Sequence, residues 1–134
     1  MSDPVPTFER ELNENEANVL AQRILESDES ILRVGIVSHV GFRLGGATRS
    51  IDKKRYEAQK DELEKRALRV GDIMASAKAG DKFLSPTECV ILVRRQSKTI
   101  LCWVARYALI IVITLPRNVP ELPLLEKVRT KFYL

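Results

Sequence analysis

Hydrophobic residues crowd one stretch of this chain. Thr87 to Leu115 reads TECVILVRRQSKTILCWVARYALIIVITL, nearly continuous in Val, Ile, Leu and aromatics, with a polar break at Gln96-Ser97-Lys98. β-Branched and aromatic residues suit a pleated, half-buried surface, and breaks at this spacing separate strands rather than interrupt one helix. The pattern predicts three antiparallel strands, roughly 87–95, 99–105 and 107–115. Side chains alternate across a strand. Val90, Leu92, Leu101 and Trp103 therefore share one face, and Ile91, Val93, Ile100 and Cys102 the other. Both faces are apolar, so both need cover.

The rest of the chain reads as that cover. Residues 1–12 hold two prolines and scattered charge and predict a loose tail, leaving 13–134 as the domain. Asn13 stands three residues before Glu16, a capping-box pattern. Ala17, Leu20, Ala21, Ile24 and Leu25 follow at helical spacing, and Ser27-Asp28-Glu29-Ser30 ends that helix. Ile31–Val37 and Phe42–Thr48 predict a hairpin turning at Ser38–Gly41, with a bulge or a close backbone approach at Gly45-Gly46. A long helix is expected over about 53–78. Tyr56, Leu63, Ala67, Val70, Met74 and Ala77 recur along it near a heptad seam, and Gly80 is its C-cap signal. A short last helix follows Pro120 and Pro123, with Leu125, Val128 and Phe132 on its apolar side. The order α-β-β-α-β-β-β-α predicts an α+β fold, a five-stranded antiparallel sheet with helices on both faces.

Composition changes this picture little: apolar residues at 45% and charged residues at 30% are ordinary for a globular domain. The apolar run Ile100–Leu115 is 16 residues long and carries Arg106. Spanning a bilayer takes about 20 apolar residues with few charges, so no membrane span is expected. MSDPVPTFERE shows no signal-peptide pattern, residue 2 is Ser and the chain closes on Phe-Tyr-Leu, so no targeting or lipid anchor is read and a cytoplasmic location is expected. Charge is uneven. Residues 1–30 hold 2 basic and 8 acidic side chains, 31–81 hold 11 and 7, and 82–134 hold 9 and 3, giving −6, +4 and +6. An acidic beginning and a basic end attract each other or a partner.

Candidate chemistry is sparse. His39, the single histidine, lies in a predicted turn without the three or four ligands that a metal site needs. Cys89 and Cys102 sit in apolar strands and read as reduced core thiols. A hairpin centred on Ser97-Lys98 sets Cys102 opposite Val93, so a disulfide would require another register. Gly41–Gly46 lacks the Gly-Lys-Ser/Thr end of a phosphate loop. Arg94, Arg95 and Lys98 cluster at a hairpin tip and are the basic contact patch, while nucleic-acid binding lacks both a motif and stacking aromatics. No catalytic, metal or cofactor-binding residues are expected, and the chain reads as non-enzymatic.

The element order resembles the roadblock / dynein-light-chain fold, a relative of the profilin and longin folds. ILRVGIVSHVGFRLGGAT resembles its first hairpin, through Gly35, Ile36, Val37, Gly41 and Leu44 to Ala47. The chain is also similar to uncharacterised archaeal proteins with this order and a long charged middle helix. It departs from the family at Ser38-His39-Val40, where an acidic residue commonly precedes the Gly. The resemblance implies a homodimer that pairs the middle helix and joins sheets at the third strand, with Tyr56, Leu63, Ala67, Val70 and Met74 as interface residues. It also implies a protein partner, such as a small GTPase or a signalling or motor complex. The runner-up is a PAS-like or profilin-like sensor, marked by an internal apolar cavity with convergent polar groups. The third is a nucleic-acid-associated basic protein.

Overall fold

A computed structural model describes residues 12–49 and 60–134. The described elements run α1 (Glu14–Glu26), β1 (Arg33–Ser38), β2 (Arg43–Thr48), α2 (Lys60–Lys78), β3 (Cys89–Val93), β4 (Ser97–Val104), β5 (Leu109–Pro116) and α3 (Glu121–Phe132). Residues 1–11 of the expected tail and 53–59 of the long helix, Tyr56 among them, lie outside these residues; Leu12, the last residue of that tail, packs against the core.

The five strands form one antiparallel sheet in the order β2-β1-β5-β4-β3. β5 lies at the centre because LIIVITL offers apolar side chains to both faces. β4 reaches it through a single 3-10 turn, Ala105–Tyr107, which Ala108 closes with a left-handed backbone (φ 52°). The run tested above as a membrane span is thus two strands and a turn. Among the described residues no helix is long and apolar enough to cross a membrane.

One face of the sheet is thickly covered. Ile36, Ile100, Ile111 and Ile113 pack there against Ala17, Ala21 and Ile24 of α1 and Leu124, Leu125 and Val128 of α3. The Asn13–Glu16 capping box starts α1: each residue's side chain accepts from the other's backbone N–H, at 2.8 and 3.1 Å. The opposite face is thin. Val37, Leu101 and Ile110 are buried there beneath Ala67 and Met74 of α2, while Val70, Ile73, Val90, Leu92, Trp103 and Val112 are only partly covered.

Two glycine contacts set the helices on the sheet. The Gly45-Gly46 expectation resolves into both of its alternatives. The register slips between Ile36 and Val37, which face Gly45 and Arg43. A Cβ on Gly45 would also stand 2.6 Å from Asn18 Oδ1 and 2.9 Å from the Ala17 Cβ, so α1 rests directly on the strand. Gly41, with φ +92°, turns the hairpin under Gly71 of α2. Gly80 does not use a left-handed cap; its N–H donates to Ala77.

The β3–β4 register differs from the sequence expectation. Arg94 N–H donates to Ser97, so the turn is Arg95-Gln96, Lys98 faces Val93 and Cys102 faces Cys89. The polar break misplaced the turn because Ser97 and Lys98 belong to the strand.

Asp28 ties the end of α1 to α3. Its carboxylate accepts from Ser30 N–H and hydroxyl, at 2.9 and 2.6 Å, and from Lys127 Nζ at 3.2 Å. The Ser30 bonds first, then Lys127, hold its pKa at about 2 against 3.8 for a free aspartate. A depressed carboxylate contributes stability above its unfolded pKa, and that contribution is lost as pH falls through the folded value. Asp28→Asn should therefore cost about 1 kcal/mol at neutral pH, after solvent screening of a partly exposed group. In urea titrations the gap from the parent should close between pH 3.8 and about 2. A gap that does not change with pH would remove the carboxylate from the account.

Candidate interaction face

The thin face and the β3 edge beside it form one surface. β3 lies at the end of the sheet, and its CVILV carries no charge. Arg94 and Trp103 N–H donate to Ser97 and Glu88. Antiparallel pairs alternate between bonded and non-bonded. By that alternation Val90 and Leu92 bond to β4, while Cys89, Ile91 and Val93 turn their N–H and C=O outward. No described group pairs with that outer row, and Val93 is 60% exposed. The opposite edge is managed. On β2, Gly46 N–H donates to the Asn18 side chain of α1 at 2.9 Å.

The entry to β3 is anchored. Asp81 accepts from Thr87 Oγ1 at 2.5 Å and from Thr87 N–H at 3.1 Å, and the hydroxyl bond is the main reason its pKa lies below the ordinary value. The loop between them holds Phe83 and Leu84 out in solvent. Lys78 Nζ lies 4.4 Å from the centre of the Trp103 ring, covering part of the thin face.

The apolar stripe of α2 faces inward. Leu63, Ala67 and Met74 are 9%, 3% and 2% exposed; Ala67 and Met74 are spent on this chain's own sheet, Leu63 lines the cleft beside it, and Val70 is half-buried at its margin. The three basic residues of the hairpin tip are not brought together. Arg94 sits on the α2 side and donates to Thr99 at 3.2 Å, and Arg95 is exposed. Lys98, 7% exposed, turns to the other face, where Nζ donates to Glu121 Oε2 of α3. That bond is the chief cause of the lowered Glu121 pKa.

Between α2 and the sheet runs a cleft of about 610 Å³, with Val37, Leu101 and Val112 among its apolar walls. Five arginines reach its lining: Arg33, Arg43, Arg66, Arg69 and Arg94. Burial lowers the Arg43 pKa, and Glu14 and Glu64 work against that shift. Four of these arginines were missed in the sequence. The signal was there in Arg33 and Arg43, each at the start of a strand, and in the Arg66/Arg69 pair one helical turn apart. His39 is exposed in its turn, where its N–H donates to Ala108. Among the described residues no cluster of His, Cys, Asp or Glu could hold a metal ion.

By sequence, no family model and no curated protein matches the chain. By structure it is similar to Myxococcus xanthus MglB, with TM-score 0.68 and 14% identity over 91% of this chain and 85% of that one. An MglB with a tetrameric arrangement gives 0.68 and 12% over 97% and 90%. A Roadblock/LC7 domain from Streptomyces avermitilis gives 0.61 and 9% over 93% and 100%. The fold of this chain is therefore the roadblock/LC7 fold.

Proposed function

We propose that this chain is a non-enzymatic interaction domain that pairs with a second copy of itself along β3 and the adjoining margin of α2. The pair then binds a protein partner in the cytoplasm. The observation that carries the reading is the β3 edge: uncharged, apolar and uncovered beside a thin face. Natural sheets protect such edges with charge, proline, bulges or a covering element. A second β3 would satisfy the outward row of backbone groups and cover Val70, Leu92 and their neighbours. The expected interface stripe contributes chiefly through Val70, since Leu63, Ala67 and Met74 are already buried. The tetrameric arrangement of one MglB supports self-association in this fold. A small GTPase as partner rests on the family resemblance of the first hairpin and the element order. Molar mass by light scattering, at low and high salt, tests the pairing. A mass near twice 15.2 kDa at both salts is expected, and a clean 15.2 kDa would end it.

The arginine-lined cleft favours a second reading, a sensor for an anionic, partly apolar small molecule. Its volume lies within the range of ligand sites. An anilinonaphthalene sulfonate probe should then bind in a way that Arg69→Glu weakens about tenfold or more, as a lost charge-assisted contact would. Unchanged binding by the variant would discard the reading.

A further inference from the structure

Cys89 and Cys102 face each other across β3 and β4. The bonds at Glu88–Trp103 and Arg94–Ser97 fix the phase of this ladder, which makes Cys89–Cys102 a non-bonded pair. In such pairs the Cα atoms approach to about 4.5 Å and the side chains project from the same face. That separation falls inside the range a disulfide spans. Both thiols are free, Cys89 half-buried and Cys102 buried, on the α3 side of the sheet. They are the only cysteines in the chain.

We propose that Cys89 and Cys102 are a dithiol–disulfide couple, a cross-strand bond that oxidation by a peroxide closes and a thiol reductant opens. The half-buried Cys89 reacts first. Its thiolate attacks one peroxide oxygen, the O–O bond breaks and a sulfenic acid forms as water leaves. Cys102 sulfur, losing its proton, then attacks the Cys89 sulfur, the S–S bond forms and the sulfenic oxygen leaves as a second water. Two thiols give up two electrons in all, and one hydrogen peroxide takes them up.

The surroundings set the rate. Burial pushes Cys102 up to about 11 and raises Cys89 as well, and for both the Arg129 cation of α3 pulls the other way. The thiolate is the reacting form, so closure is slow near neutrality and speeds up about tenfold per pH unit below the Cys89 pKa. The product matters for the fold because β3 has one neighbour only. A covalent link to β4 pins the edge strand in its register, whether or not a second copy is bound.

The test uses the intact native chain, reduced and then exposed to hydrogen peroxide at mildly alkaline pH, with free thiols and intact mass followed in time. The expected product is a single chain that has lost two hydrogens and both thiols, which a reductant reverses. With only two cysteines, that mass identifies the bond without further mapping. In the oxidised protein the amides of Val90 and Leu92 should exchange more slowly with solvent. Cys89→Ala and Cys102→Ala should each prevent the product. Thiols that survive in the native chain, irreversible addition of oxygen, or cross-linked chains in place of the intramolecular product would each overturn the proposal. So would a native chain that oxidises no more readily, against a glutathione buffer, than the urea-unfolded one.

Discussion

Ile91→Pro is expected to bring the native molar mass from near twice 15.2 kDa down to 15.2 kDa while the chain stays folded. Proline lacks a backbone N–H, and in sheets it is tolerated where that N–H would face away from the neighbouring strand. Ile91 faces Ile100 as a non-bonded pair, so its N–H points out of the sheet and makes no bond to β4. The substitution removes nothing from the β3–β4 ladder. It removes one donor from the outer row and puts a ring where a second strand would lie. Losing part of the half-buried Ile91 side chain costs stability, about 1–2 kcal/mol by area, which is within the reserve of a domain this size. Val93→Lys gives a second approach to the same edge. Val93 is 60% exposed, so a lysine there gives up little burial; its cost to the monomer is the like charge of Lys98 directly across the ladder, while two lysines brought together at a joined edge repel. Both variants should be monomers with the circular dichroism of the parent. If both keep the parent's doubled mass, the copies meet somewhere other than β3. If the parent itself has the mass of one chain, there is no pairing to break.

How much of this could be read in the sequence follows from which features alternate and which depend on register. The two faces of β3 and β4 were legible because side-chain direction has period two. The expected turn at Ser97-Lys98 was displaced by two residues, which moved Cys102 from Val93 to Cys89, an even shift of four. Even shifts keep every side chain on its face, and only partners change. So Leu101 and Trp103 share a face with Val90 and Leu92 as expected, and the structure makes it the α2 side, while the cysteine pairing differs. The true turn, Arg95-Gln96, carries no glycine, asparagine or proline to announce it. Lys98 reads as a tip residue until Glu121 is seen to hold it from α3. The α2 stripe was legible as a stripe, but its spacing is the same whether it covers its own sheet or another chain. Only the placement shows that Leu63, Ala67 and Met74 face inward. The β3 edge was not legible from its residues. CVILV and the central strand's LIIVITL are equally apolar, and what separates edge from centre is the crossover through α2.

That crossover seats α2 on the sheet through Ala67 and Met74 and on the hairpin turn through Gly71, and Gly71→Val should show how much the glycine contact carries. Gly71 lies inside α2, where helix propensity alone favours replacement, by up to about 1 kcal/mol for alanine. The packing argues the opposite. A Cβ at Gly71 would stand 2.9 Å from the Gly41 Cα and 3.0 Å from its nitrogen. Both are backbone atoms, so no side chain can swing aside. Gly41 is itself held at φ +92° in the hairpin turn, a conformation that other residues adopt only with strain. The helix has to lift from the hairpin, and Ala67, one turn before Gly71 and already against Gly41, lifts with it. Overpacking of this kind costs about 1–3 kcal/mol, and the branched valine should lie at the upper end. In urea the midpoint should fall for Gly71→Val and, by less, for Gly71→Ala. The alanine variant decides the matter, because propensity and contact predict opposite signs there. A raised midpoint for Gly71→Ala would mean that α2 does not press on the Gly41 turn. A lowered midpoint combined with the parent's oligomeric mass would locate the contact in the monomer's own stability. A lowered midpoint accompanied by loss of the doubled mass would tie the seating of α2 to the surface that β3 shares with it.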